Sequence, residues 1–133
     1  MLNQGILNPH INHLLSRVRH TNSLLIADRG FTYYPGLETI DISLVDGIPT
    51  VLQVLEAIKP TFDICQVYMA EEFLLENTPS VVDAFKTAFG RIPYTFEGYN
   101  AMKSRVPGAI GIIRTADTIQ YANMLLVSGR VED

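Results

Sequence analysis

A layered α/β domain, with helices on both faces of a central mixed, mostly parallel sheet (α/β/α), is the fold class the sequence predicts. Three observations predict it. Segments of helical periodicity alternate along the chain with short runs of strand length. Several of those runs, Leu24-Leu25-Ile26-Ala27 foremost, are continuously apolar rather than alternating, which calls for cover on both sheet faces. The last two strand-like runs follow one another with no helix between them, so the sheet should be mixed.

Asn8-Pro9 reads as a helix start, Asn8 as N-cap and Pro9 at the first helical position. Ile11, Leu14, Leu15 and Val18 then fall on one face, and the helix is expected to end near His20-Thr21-Asn22. Residues 24–27 form a buried strand that ends in the turn Asp28-Arg29-Gly30. Residues 31–37, with Pro35-Gly36, are a loop, and residues 38–43 a second strand. After Asp46-Gly47-Ile48-Pro49, the residues Val51, Leu52, Val54, Leu55 and Ile58 make a second amphipathic helix, stopped by Pro60. Residues 64–70 are a third strand. Thr78-Pro79 opens a third helix carrying Val81, Val82, Ala84, Phe85 and Phe89, and Gly90 closes it. A strand over 93–96, a helix over 97–104 and strands over 109–114 and 122–127 complete the chain. No linker, repeat or low-complexity tract interrupts it, so residues 1–133 are read as one domain.

The 133 residues are 47% hydrophobic and 18% charged, with a mean hydropathy of +0.17. That charged share is below the usual level of about a quarter, so other copies are expected to cover part of the surface. A net charge of −4 and the lack of any Lys/Arg cluster argue against a nucleic-acid partner. The one cysteine, Cys65, has no internal partner and lies in an apolar run, as in a reducing compartment. Met1-Leu2-Asn3-Gln4-Gly5 has neither a basic leader nor an apolar signal core, and no run reaches membrane-spanning length. A cytoplasmic protein without a membrane partner is expected.

Glycine-rich phosphate loops are absent: Asp46-Gly47 and Pro107-Gly108 are turns. His10, His13 and His20 lack the spacing of a metal site, and no nucleophile elbow is present. No metal is expected. What remains open is acid–base work by histidine, carboxylate and tyrosine. His20, taken alone, reads as a helix-end residue on the dipole, and Asp28 as a turn residue. Asp28 nevertheless stands at a strand's carboxyl end, where α/β sheets bind ligands. A helix end and a strand end joined by one short segment could bring His20 and Asp28 together, the carboxylate orienting the imidazole. Tyr121 and Asn123, if in strand, would point to the same side and offer a hydroxyl and an amide to one pocket. As ordinary packing at a strand entry, they need no such role.

The order of these residues resembles the ribose pyranase and fucose mutarotase family. Gly5-Ile6-Leu7-Asn8, His20-Thr21-Asn22 and Ala27-Asp28-Arg29-Gly30 are similar to that family's opening segments. Ile40-Asp41-Ile42-Ser43-Leu44, Gly47-Ile48-Pro49, Gln53-Val54-Leu55, Ala70-Glu71-Glu72, Ile113-Arg114-Thr115 and Tyr121-Ala122-Asn123 follow in the family's order. The resemblance implies an isomerase that opens and closes the ring of a free monosaccharide, ribose or fucose in type, without a cofactor. It implies His20 as proton donor and acceptor, with Asp28 holding it or a sugar hydroxyl. Tyr99, Tyr121 and Asn123 would contact substrate. It also implies a homo-oligomer, a decamer for the ribose enzymes, with sites between subunits. A non-catalytic monosaccharide-binding oligomer on the same fold is the alternative.

Departures from the pattern bear on the sugar. Arg19 and Asn22 replace a glycine and an aspartate around His20, Arg29 replaces an alanine, and Ala116-Asp117 replaces glycine-glutamate. The family's additional site histidine is missing, its place falling to Phe96 or Tyr99 by alternative alignments. Tyr33, Tyr34 and Tyr99 are open to two readings, a stacking platform for a sugar ring or packing at a subunit interface.

Overall fold

The computed structural model describes residues 1–131. Its elements, in order, are α1 (Pro9–Ser16), β1 (Ser23–Ala27), β2 (Thr39–Asp41), α2 (Val51–Ile58), β3 (Ile64–Ala70), α3 (Glu72–Glu76), α4 (Pro79–Phe89), β4 (Tyr94–Glu97), α5 (Tyr99–Arg105), β5 (Ile112–Arg114) and β6 (Met124–Ser128). A 3₁₀ turn over Val106–Gly108 extends α5.

The strands form one sheet in the order β2-β5-β1-β6-β3-β4. β1 pairs with β5, β2 with β5 and β3 with β4 in parallel, whereas β6 is antiparallel to both β1 and β3. The sheet is therefore mixed and mostly parallel, with β6 as the one reversed strand. The cause is the connection read from the sequence: β6 follows β5 without an intervening helix.

Helices cover both faces, unequally. Ile11 and Leu14 of α1, Val51, Leu55 and Ile58 of α2, Phe73 of α3 and Val82, Phe85 and Phe89 of α4 pack on one face with Leu24, Ile26, Val67, Met69 and Leu126. On the other, Met102 and Val106 meet Leu25, Ala27, Ala70, Ile112 and Leu125, with Phe31 added from a loop. Alternate residues of β1 thus enter different cores, which is why that strand is apolar throughout.

Local signals placed the helices well. Asn8 Oδ1 accepts from the His10 and Ile11 amides. Thr50 and Gln53 form a capping box on α2. Thr78 caps α4, and Gly90 ends it at φ +59, a left-handed position open to glycine.

Boundaries differ in four places. α1 stops at Ser16, short of His20, because Asn22 Oδ1 accepts the Arg19 amide at 2.8 Å and the Arg19 guanidinium donates to the Ser16 carbonyl at 2.8 Å. These side-chain bonds offer the backbone a turn in place of another helical turn. β2 and β5 are three residues each, since both end where the chain bends into loops around the sheet's carboxyl edge. β6 starts at Met124, so Tyr121 and Asn123 precede it. Finally, α3 is a helix that sequence periodicity does not announce. Among the described residues no helix is long and apolar enough to cross a membrane.

Candidate active site

Four strands bring polar residues to one edge. β1 leads to Asp28, β5 to Asp117 and β4 to Tyr99, while the reversed β6 begins just after Tyr121 and Asn123. A cleft of about 250 Å³ lies there, with Asp28, Tyr99, Asp117, Tyr121 and Asn123 in its lining. That volume is below the ~300–1,000 Å³ usual for drug-sized ligands and suits something smaller. A larger cleft, about 630 Å³, opens at the opposite edge between Phe62, Phe89 and Arg130, but it holds none of these convergent groups.

Asp28 is held from two sides. Its Oδ1 accepts from the Gly30 amide at 3.0 Å and its Oδ2 from Asn123 Nδ2 at 3.3 Å. The Asp28 amide in turn donates to Asn123 Oδ1 at 2.7 Å. Burial raises the Asp28 pKa above the ordinary 3.8, against these hydrogen bonds and with the charge of Asp117 acting in the same direction as burial. Asn123, 3% exposed, therefore uses one donor and one acceptor on Asp28 and keeps one N–H for another partner.

Tyr121 stands in a turn at φ +57, and its ring meets that of Tyr99 edge-on at 5.6 Å between centroids. Tyr121 and Asn123 do share one cleft, but through this turn rather than strand alternation. Tyr99 opens α5, where the Glu72 carboxylate, 27 residues earlier, accepts its amide at 3.1 and 3.2 Å. Burial raises the Tyr99 pKa above 10.0, with Tyr34 and Asp28 contributing. Phe96 lies elsewhere, stacked on Phe73 at 6.1 Å among the core residues. Of the two candidates for the missing histidine's place, Tyr99 is the one at the cleft. Tyr34 stacks with Phe31 at 6.1 Å, and Tyr33 is exposed.

His20 is not at this cleft. It lies exposed before β1, at the sheet's opposite edge, where the neighbouring Thr21 amide bonds the Ser128 carbonyl at 2.8 Å. A Cβ on Gly129 would stand 3.4 Å from His20 Cε1 and 3.0 Å from Cys65 Sγ, so glycine lets these groups approach. The five residues of β1, about 16 Å of strand, separate His20 from Asp28. The expectation that one chain brings the two together is corrected: the shortened α1 leaves His20 behind at the amino edge.

Three further contributors had no site role in the sequence reading. Arg114 Nη1 donates to the Phe31 carbonyl at 2.8 Å, steadying the segment after Asp28. Glu72 supplies the α5 cap that positions Tyr99. Asp117, 2% exposed, accepts the Val51 amide on Oδ2 and the Ile119 amide on Oδ1, both at 2.9 Å. Only Asp117 had a local signal, since Asp followed two residues later by an amide partner is a common side-chain turn.

A family model described as the RbsD / FucU transport protein family matches residues 1–131. The chain belongs to this family. RbsD/FucU relatives include a D-ribose pyranase of Geobacillus kaustophilus, 35% identical over 129 residues, covering 97% of this chain and 94% of the relative. A D-ribose pyranase of Geobacillus thermodenitrificans is 34% identical over 129 residues, covering 97% of each. Among solved structures, Bacillus subtilis RbsD complexed with D-ribose superposes with a TM-score of 0.90 at 26% identity, covering 99% of this chain and 100% of that one. The fucose mutarotase of Streptococcus pneumoniae in complex with L-fucose shares the fold, with a TM-score of 0.81 at 17% identity, covering 98% and 100%.

Proposed function

We propose that this RbsD/FucU protein interconverts the ring forms or anomers of a free monosaccharide, and that the reacting site joins two copies of the chain. The observation that carries the reading is the carboxyl-edge cleft, where a held carboxylate, two tyrosines and an amide converge without an imidazole of the same chain. An exposed His20 at the far edge is free to enter a neighbour's cleft.

The chemistry follows from the hemiacetal. The anomeric hydroxyl loses its proton as C1 becomes a carbonyl, the C1–ring-oxygen bond breaks, and the ring oxygen takes up a proton. Rotation about the C1–C2 bond, or attack by another hydroxyl, then closes a different form by the reverse steps. His20 of the neighbour moves the proton, a step worth on the order of 10²–10⁴-fold. Asp28 accepts from a sugar hydroxyl or from that imidazole. Tyr99, Tyr121 and the remaining Asn123 N–H bind the other hydroxyls. The sugar exchanges only protons with the protein and undergoes no net redox change, so the reading requires neither cofactor nor metal.

Support for assembly comes from the surface. Leu44, Val45 and Ile48 are 75%, 59% and 54% exposed in the turn whose Asp46 pairs with Arg29 at the cleft's rim. Apolar residues in that position favour contact with a second copy. A decamer, in keeping with the family resemblance, and a cytoplasmic location complete the reading.

Exchange NMR on ribose, fucose and other free sugars tests it. Wild type should accelerate exchange between ring forms or anomers, and H20A and D28N should each abolish it. Mixing H20A with D28N, after subunits re-equilibrate, should restore a substantial fraction, because some interfaces then hold both native residues. Sugar binding without accelerated exchange would overturn catalysis in favour of a non-catalytic binding protein. A monomer by sedimentation would overturn the shared site.

A further inference from the structure

Asp117 sits where three segments of the cleft meet. Its carboxylate takes the first amide of α2, that of Val51, and the Ile119 amide two residues on. Its own amide donates to Thr115 Oγ1 at 3.1 Å, and that hydroxyl donates to the Ala27 carbonyl at 2.8 Å, the last residue of β1. Its carbonyl accepts the Arg29 amide at 3.2 Å, fixing the turn that carries Asp28. A single buried residue thus joins the ends of β1 and β5, the start of α2 and the loop that leads to Tyr121. Tyr121 holds a left-handed backbone, uncommon outside glycine, so its ring direction depends on how firmly that loop is fixed.

We propose that Asp117 is a positioning residue of the sugar site: its carboxylate clamps the 117–121 loop to the start of α2 and so aims Tyr121 and Asp28 at the substrate. The inference rests on the reading of the cleft as a sugar site and adds a determinant of its geometry. Aspartate suits the task by charge and by length. An ionised carboxylate accepts two amides at once, and it stands favourably at a helix N-terminus. Asparagine would present one oxygen and turn an NH₂ toward the other amide.

The test compares Asp117→Asn with Thr50→Ala. Thr50 caps the same helix end through the Gln53 amide and does not line the cleft. Both variants weaken the start of α2, and only the first frees the loop. In exchange NMR on the sugar that wild type turns over, D117N should lose on the order of 10- to 100-fold in kcat/KM, the scale of a small misplacement of reacting groups. T50A should stay within about twofold at the same loss of stability in urea. Asp117→Glu keeps both acceptors and should recover part of the loss, whereas Asp117→Ala should not. Equal losses in T50A and D117N, or no loss in D117N, would overturn the proposal. Should D117N fail to fold, D117E carries the test: a folded D117E with unchanged kcat and KM would show that the length of the clamp does not aim the site, and overturn the proposal. Absence of turnover in wild type itself would instead strike at the proposed function.

Discussion

Truncating Asn123 to alanine tests how Asp28 is held. The substitution removes the acceptor of the Asp28 amide at 2.7 Å and the donor to its carboxylate at 3.3 Å. A neutral hydrogen bond contributes about 1 kcal/mol and one to a charged group about 1.5–3 kcal/mol. At neutral pH, N123A should therefore lose about 2–4 kcal/mol of unfolding free energy, less if water enters to replace the amide. The two parts separate with pH. The bond to the carboxylate favours the charged form and lowers the Asp28 pKa, so its contribution is present above the unfolded carboxyl's range and is lost as pH falls. The bond to the backbone amide does not titrate. Urea unfolding at pH 7 and near pH 3 should show the deficit of N123A shrinking to about 1 kcal/mol in acid. The acid limb of kcat/KM should also move to higher pH in N123A, because burial then acts on Asp28 with less opposition. A deficit below about 0.5 kcal/mol at pH 7, or one equal at both pH values, would show that the amide does not hold the carboxylate.

Other perturbations read other parts of the chain. Because burial raises the Asp28 pKa overall, its net contribution to stability is present below the unfolded pKa and lost as pH rises through the folded one; D28N should gain stability relative to wild type between pH 3 and 7 in urea titrations, while losing turnover. A Cβ on Gly111 would stand 2.8 Å from Leu14 Cδ1 and 3.2 Å from the Glu38 carbonyl oxygen, so G111A should destabilise by about 1–3 kcal/mol with the cleft intact. G129A should displace the His20 ring, lowering kcat/KM on the order of tenfold with little change in sugar affinity if His20 serves a neighbour's cleft as proposed. Phe73, buried between Phe85 and Phe96, should cost about 3–5 kcal/mol when cut to alanine, read by chemical denaturation.

What the sequence made legible was local. Asn8-Pro9, Thr50 with Gln53, and Thr78-Pro79 each place a helix start through side chains within three residues of the backbone groups they satisfy. The continuous apolarity of β1 and the missing helix before β6 carried the layered, mixed sheet. Legibility failed where a distant partner decides. α3 has no side-chain cap and keeps its place through Phe73 against Phe85, Phe96 and the sheet. The end of α1 depends on how Arg19 and Asn22 share hydrogen bonds, which periodicity cannot weigh. Asp117 acts on Val51, 66 residues away, and Glu72 on Tyr99, 27 residues away. Of the named site residues, Asp28, Tyr99, Tyr121 and Asn123 converge on one cleft, and His20 lies at the other edge of the sheet.

That separation gives the proposed assembly a chemical reason. Every strand except β6 runs the same way, so residues before β1 and residues after it must leave the sheet at opposite edges. No side-chain rotation can span about 16 Å of strand. A chain that needs both His20 and Asp28 at one hemiacetal must therefore either unfold an edge or recruit a second copy. Recruitment uses what the surface already offers: an exposed imidazole, exposed Leu44, Val45 and Ile48 beside the cleft, and few charges to desolvate. It also carries a consequence for concentration. If each site is completed by a neighbour, specific activity should fall on dilution below the assembly constant, and sugar binding to the Asp28 cleft should weaken less than turnover does. Activity per chain that is constant through dilution to the monomer would place His20 outside the reacting site altogether.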